Sequence, residues 1–126
     1  MTEAHTILIV EDDETDRLIV RLFLEQAGYR VLEAASAEGG LELCSRIRPD
    51  LLLIDGLLPQ MDGFQMTCAL RAIPEYRDTP ILVLSGLEEP EWPARALAAG
   101  ATGFILKSND WDGLVGRIGQ YFAAGR

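Results

Sequence analysis

The sequence predicts an α/β fold in which five parallel strands alternate with helices. Short apolar runs such as residues 51–54 lack polar alternation, which is typical of strands buried on both faces of a sheet. A helical pattern follows each strand, and strands that alternate with helices form parallel sheets with right-handed crossovers. We therefore expect a single doubly wound (βα)5 domain over residues 1–126, with the strand order 2-1-3-4-5.

The first half of the chain contains three predicted strands. They occupy residues 6–10, 29–33 and 51–54. The first helix has its N-cap at Asp13 or Glu14 and ends at Gly28, which fits the C′ position. The apolar residues that recur at helical spacing in it are Leu18, Ile19, Leu22 and Phe23. Ser36 suits the N-cap of a second helix. The apolar residues of that helix are Leu41, Cys44 and Ile47.

The second half contains two further predicted strands. They occupy residues 81–84 and 104–106. A third helix over residues 64–72 stops near Pro74, because proline cannot continue a helix. A fourth, alanine-rich helix begins near Pro93, since proline is favourable in the first turn. The fifth helix begins near Asp110 and is rich in glycine, so packing must stabilise it. Its predicted buried residues are Leu114, Val115, Ile118 and Phe122.

The composition argues against several classes of protein. The formal charge is −9, whereas nucleic acids and anionic membranes are bound by basic patches. The apolar runs are too short to span a bilayer and no signal peptide is recognisable, so we expect a cytoplasmic protein. Cys44 and Cys68 lack metal-ligand spacing and are predicted to be small core residues. A single histidine, His5, excludes a His-based catalytic triad or zinc site.

Chemically active residues follow four of the five predicted strands. They are Glu11 and Asp12 after the first strand, Asp55 after the third, Ser85 after the fourth and Lys107 after the fifth. Ligands of doubly wound sheets bind at the carboxyl ends of the strands, where strands 1 and 3 flank the switch point. Carboxylates gathered there repel one another, and Mg²⁺ relieves the repulsion because it takes oxygen ligands. Each residue alone is more often a cap or a turn former. Together with the ammonium and the hydroxyl, the carboxylates predict a site that receives a phosphoryl group on Asp55.

The chain resembles the receiver domains of two-component response regulators over essentially its whole length. The segments that carry the resemblance are residues 7–13, 49–63 and 100–107. The second of them reads PDLLLIDGLLPQMDG and is highly specific to that family. The resemblance implies a flavodoxin-like fold, phosphorylation of Asp55 and a dependence on Mg²⁺.

The resemblance also implies a role for each matched residue. Asp12 corresponds to the direct Mg²⁺ ligand and Glu11 to the acid that contacts the metal through water. Asp55 and the backbone carbonyl of Leu57 complete the protein ligands. The residues matched to the phosphate-binding lysine, the switch hydroxyl and the aromatic switch position are Lys107, Ser85 and Phe104.

The family's biology supplies the expected partners. A histidine kinase or a histidine phosphotransfer protein would donate the phosphoryl group, and a downstream protein target or output domain would respond. A receiver of this kind is a monomer or a phosphorylation-dependent dimer. It is not an enzyme, apart from assisting its own phosphorylation and dephosphorylation.

Two features of the sequence bear on the loop after the fifth strand and on the lifetime of the phosphoryl group. Ser108 stands where the family usually has a proline, often after a cis peptide bond, so the shape of this loop is not implied by the resemblance. In the family that this chain resembles, the residues two positions after the phosphoacceptor and after the switch hydroxyl flank the approach of the hydrolytic water, and here they are Leu57 and Leu87. Because leucine cannot orient a water molecule, we expect slow loss of the phosphoryl group.

Three alternatives compete with this interpretation. Phosphatases and phosphotransferases with an aspartyl nucleophile resemble the site in chemistry, but they carry a second Asp where this chain has Leu57. A flavin-binding module would need a loop rich in Ser, Thr or Gly after the first strand, where this chain has the acidic residues 11–14. A degenerate receiver that acts only as a binding scaffold is disfavoured because every reactive position is filled.

Overall fold

The structure, a computed structural model, describes residues 4–86, 91–108 and 110–124. Its five strands are β1 (Thr6–Val10), β2 (Arg30–Ala34), β3 (Leu51–Asp55), β4 (Ile81–Ser85) and β5 (Gly103–Leu106). All neighbouring pairs are parallel and the order in the sheet is β2-β1-β3-β4-β5. The predicted doubly wound topology is therefore confirmed.

The helices alternate with the strands along the chain. They are α1 (Glu14–Gln26), α2 (Ala37–Cys44), α3 (Gly63–Arg71), α4 (Trp92–Ala98) and α5 (Trp111–Ala124), with a short 3-10 turn at Pro74–Tyr76. The side chain of Asp13 accepts a hydrogen bond from the Asp16 N–H at 2.8 Å, and Ser36 accepts one from the Gly39 N–H at 3.0 Å. Both predicted N-caps are therefore confirmed, with Asp13 taking the position rather than Glu14.

The hydrophobic core lies on both faces of the sheet. Every residue of β3 and β4 is buried, which explains why these strands show no polar alternation. One face packs against α2 and α3, with Leu8, Leu52 and Met66 fully buried. The other face packs against α1 and α5, where Leu24 and Ile118 are fully buried. This double coverage fixes the positions of the strand ends, where the polar residues lie.

Several local predictions were wrong in detail. β2 begins one residue later than predicted, because the Tyr29 N–H still bonds to Leu24 at the end of α1. In α1, Leu18 and Leu22 are exposed, and Val20 and Leu24 face the sheet instead. Cys44 is buried as predicted, whereas Cys68 is exposed on the outer face of α3.

The described helices do not reach the combination of length and apolarity that a bilayer crossing requires.

Two glycine substitutions should have opposite effects on stability. A Cβ on Gly63 would lie 2.2 Å from the backbone oxygen of Asp55, whereas one on Gly116 in α5 would meet no atom within 4 Å. We expect Gly63→Ala to lower the free energy of unfolding by about 2 kcal/mol or more. Gly116→Ala should raise it by about 0.5–1 kcal/mol, because alanine is the better helix former. Urea denaturation of both variants measures this difference, and equal effects would contradict the close approach of Gly63 to β3.

Candidate functional site

The candidate site lies at the carboxyl ends of β1 and β3. Val10 pairs with Ile54 in the parallel register, so Glu11 and Asp55 leave adjacent strands at the same level. Asp12 follows directly in the loop toward α1. The carboxylate oxygens of these three residues all lie within 4.8 Å of one another. The structure thus brings together the acidic residues that the sequence predicted for the metal and the phosphoryl group.

Burial divides the three acids into two kinds. Glu11 and Asp55 are 3% and 5% exposed, whereas Asp12 is an exposed residue. Buried carboxylates need a partner, since an unpaired buried charge is costly. Asp12 therefore marks the side from which water or a solvated cation reaches the cluster.

Lys107 supplies the partner charge. Its Nζ lies 2.8 Å from Glu11 Oε1, 3.1 Å from Asp55 Oδ2 and 3.4 Å from Asp16 Oδ2. The backbone N–H of Lys107 donates to the carbonyl of Ser85 at 2.8 Å, which fixes the backbone of Lys107 beside the end of β4. One ammonium group therefore links β5 to β1, β3 and α1.

The charges of the cluster perturb one another. Burial raises the pKa of Glu11 to about 7, an effect that the hydrogen bond from Lys107 only partly offsets. Burial acts to lower the pKa of Lys107, but the hydrogen bond to Glu11 and the charge of Asp55 outweigh it and raise that pKa. The ammonium therefore stays charged, and Glu11 holds a proton more readily than an ordinary glutamate does in the metal-free protein.

An arginine that sequence reasoning missed supports the acidic loop. Arg17 donates to the carbonyl of Glu11 at 2.7 Å and to the Glu33 carboxylate at 3.0 Å. Arg21 donates to the other oxygen of Glu33 at 3.0 Å. Glu33 lies on β2 opposite Ile9 in the sheet register, and from there its carboxylate reaches both arginines of α1. These contacts fix the backbone of Glu11 relative to the sheet.

The loop after β3 positions Asp55. The Leu57 N–H donates to Asp55 Oδ1 at 3.1 Å, and the N–H of Gly63 bonds to the carbonyl of Gly56 at 3.2 Å. The side chain of Leu57 is 56% exposed, and the role of its carbonyl as a metal ligand stays a prediction. Leu87, the other predicted flanking residue, lies outside the described residues.

Ser85 and Phe104 occupy adjacent strands. Ser85 is fully buried at the end of β4, and Phe104 is half-buried on β5. The Phe104 ring meets the buried ring of Trp92 edge-on, with 5.5 Å between the centroids. Val83 pairs with Phe104 in the register and packs in the same cluster. A continuous apolar contact therefore runs from β4 and β5 to α4.

The donor set fits a magnesium ion. Three carboxylates converge, one of them exposed, and Mg²⁺ prefers a few carboxylate ligands together with retained waters.

The peptide bond between Lys107 and Ser108 is trans, as are the other described peptide bonds. The replacement of proline by serine therefore leaves the ammonium of Lys107 directed at the acids.

Comparisons with known proteins agree with this geometry. A family model described as "Response regulator receiver domain" matches residues 7–119. The DNA-binding dual master transcriptional regulator RpaA of Synechocystis is 32% identical over 89% of this chain and 46% of its own length. The phosphate regulon transcriptional regulatory protein PhoB of Escherichia coli is 35% identical over 91% of this chain and 50% of its own length. The chain thus spans about half the length of these two relatives.

Solved structures show the same fold. A putative response regulator from Chloroflexus aurantiacus has a TM-score of 0.90 and 35% identity, covering 95% of this chain and 98% of its own. The chemotaxis response regulator CheY4 of Vibrio cholerae has a TM-score of 0.87 and 32% identity, covering 93% of this chain and 98% of its own.

The raised pKa of Glu11 predicts a pH-dependent stability in the metal-free protein. Glu11 has an ordinary pKa of 4.5 when unfolded and about 7 when folded, so the folded state holds the proton more tightly. The contribution of Glu11 to the free energy of unfolding is complete below about pH 4.5 and is lost as the pH rises through 7. We expect the unfolding free energy of the parent to fall by about 1–3 kcal/mol more than that of Glu11→Gln over this interval. Urea denaturation in chelator at several pH values tests this, and parallel profiles would contradict the assigned shift.

Proposed function

The chain belongs to the family of response regulator receiver domains of two-component signal transduction, and we propose that Asp55 is its phosphoacceptor. The observation that carries this proposal is the position of the Lys107 ammonium between the buried carboxylates of Glu11 and Asp55. A carboxylate at the end of a central strand, beside one cation and two further acids, is suited to receive a phosphoryl group.

The proposed reaction is a phosphoryl transfer to a carboxylate oxygen. An oxygen of Asp55 forms a bond to phosphorus, while the bond from phosphorus to the donor breaks and the leaving group keeps the electron pair. Glu11, Asp12 and Asp55, with the carbonyl of Leu57, would hold Mg²⁺, which when bound neutralises charge on the phosphoryl oxygens. Lys107 exchanges its contact with Asp55 for a hydrogen bond to a phosphoryl oxygen. Burial strengthens that bond because the local dielectric is low.

Ser85 and Phe104 would report the transfer to the surface. The hydroxyl of Ser85 turns toward the phosphoryl group, and the space near the end of β4 then admits the ring of Phe104. Its edge-on contact with Trp92 links that movement to α4. Such a switch requires contacts that differ between its two states, and here these are the bonds of the phosphoryl group to Ser85 and Lys107.

The proposed partners follow from the family. A histidine kinase or a histidine phosphotransfer protein in the cytoplasm supplies the phosphoryl group. A downstream protein target or output domain, rather than nucleic acid or membrane, contacts the switched face of this acidic domain. The domain acts as a monomer or as a phosphorylation-dependent dimer, and its only catalysis is of its own phosphorylation and dephosphorylation. The alternative is a degenerate receiver that is never phosphorylated and acts only as a binding scaffold. Phosphoryl labelling of Asp55 would exclude it.

Labelling with a small phosphodonor tests the assignment of Asp55. We expect acetyl phosphate with Mg²⁺ to add one phosphoryl group, detected by intact mass, and Asp55→Asn to abolish the adduct. Asp12→Ala should abolish labelling because an acidic metal ligand is removed, as should excess chelator. Asp78→Asn, an exposed acid on the loop before β4, is the matched control and should label like the parent. An adduct that persists in Asp55→Asn would refute the assignment.

Loss of the Ser85 hydroxyl should separate labelling from the switch. We expect Ser85→Ala to accept the phosphoryl group while the amide NMR shifts near Phe104 and Trp92 respond by less than half of the parental change. The reason is that the hydroxyl is the group that transmits the position of the phosphoryl oxygen to β4 and β5. A full response of Phe104 in labelled Ser85→Ala would show that the signal takes another route.

A further inference from the structure

Lys107 contacts a third carboxylate that the proposed chemistry does not use. Asp16 lies in the first turn of α1, and its Oδ2 is 3.4 Å from Lys107 Nζ. The Asp16 N–H is bound by the N-cap Asp13 at 2.8 Å, which fixes this turn of the helix. The Asp16 side chain is 39% exposed, against 4% for Glu11 and 6% for Asp55. A negative charge therefore stands at the solvent side of the lysine.

Geometry indicates that Asp16 does not hold Lys107 in place. The two shorter contacts of the ammonium, at 2.8 and 3.1 Å, are to the buried Glu11 and Asp55. The contact with Asp16 is longer and partly exposed, and ion pairs of that kind contribute little to stability. What Asp16 adds is its charge, which lowers the positive potential that Lys107 offers to an incoming anion.

An open cavity beside the lysine makes this charge relevant to donors. The cavity has a volume of about 230 Å³ and is lined by Asp16, Lys107, Ser108 and Trp111. The cavity is open to solvent, and Asp16 and Lys107 share its lining. A small anion in the cavity therefore meets the carboxylate of Asp16 together with the lysine that contacts Asp55.

We propose that Asp16 is a specificity-determining residue that disfavours small, multiply charged phosphodonors. This inference rests on the proposed phosphorylation of Asp55. A free acyl phosphate brings all of its charge to the lysine, beside the carboxylate of Asp16, and is repelled. A protein donor presents its phosphoryl group together with docking contacts that compensate for the repulsion. The charge of Asp16 thereby protects the domain from phosphorylation by metabolites and favours a protein donor.

Rate measurements with acetyl phosphate test the proposal. For each variant, the labelling rate constant is measured at its own saturating Mg²⁺ concentration, so that altered metal affinity does not enter. We expect Asp16→Asn to react about fivefold faster than the parent at low ionic strength, as one nearby charge is removed. The advantage should shrink toward unity at about 0.5 M salt, because salt screens partly exposed charges. Phosphoramidate, which carries less negative charge, should show a smaller acceleration.

Two variants provide matched controls. Glu14→Gln removes the same charge from the same exposed helix turn, at a residue for which the described ion pairs include none to Lys107. It should label at nearly the parental rate. Asp16→Glu retains the charge and should also label at nearly the parental rate.

Three results would overturn the proposal. They are equal acceleration in Glu14→Gln, an Asp16→Asn rate that is unchanged or slower, and an acceleration that is independent of salt and donor charge. If the parent and all variants fail to label and also fail to bind beryllofluoride, the proposed function fails, and this inference fails with it.

Discussion

The balance of charge around the Lys107 ammonium is the constraint on which the rest of the site depends. Glu11 and Asp55 are buried carboxylates at the ends of neighbouring strands, and without a cation between them they would repel each other in a region of low dielectric. The lysine follows β5, and its ammonium meets the side chains of Glu11 and Asp55, which follow β1 and end β3. The sheet order places β1, β3, β4 and β5 beside one another, so one lysine contacts the acids at β1 and β3 with its ammonium and the end of β4 with its backbone N–H.

The same constraint makes the site responsive. A phosphoryl group or a divalent cation changes the local charge by more than one unit, so the contacts of Lys107 must be redistributed when either arrives. The backbone of the acidic loop cannot follow freely, because Arg17 binds the Glu11 carbonyl and is itself held by Glu33. In the proposed switch, movement is therefore confined to the side chains of Lys107 and Ser85, and through them it reaches β5.

Much of the fold was predictable because its signals are local. Apolar runs that end at polar residues located four strand ends to within a residue, and the N-caps Asp13 and Ser36 follow from their own side-chain chemistry. The acidic cluster was predictable because parallel strands deliver their carboxyl ends to one edge of the sheet.

The features that were missed depend on contacts between distant parts of the chain. The contact between Asp16 and Lys107 joins residues 91 positions apart. The turn at Pro74–Tyr76 is fixed by the Tyr76 hydroxyl, which donates to the carbonyl of Cys44 at 2.7 Å. The outward orientation of Cys68 follows from the rotation of α3, which buries Met66 and Leu70 instead. Periodicity alone does not determine which side of a short helix meets the sheet.

A crystal structure of the protein with Mg²⁺ and beryllofluoride would show whether Asp55 accepts the phosphoryl group and whether Lys107 moves to it. We expect the fluoride adduct to be bonded to an oxygen of Asp55. We also expect a metal ion on Asp12 and Asp55, and a Lys107 Nζ that has moved from Asp55 to a fluorine atom. An adduct on another residue, or a Lys107 that still contacts Asp55 and makes no contact with the bound anion, would contradict it.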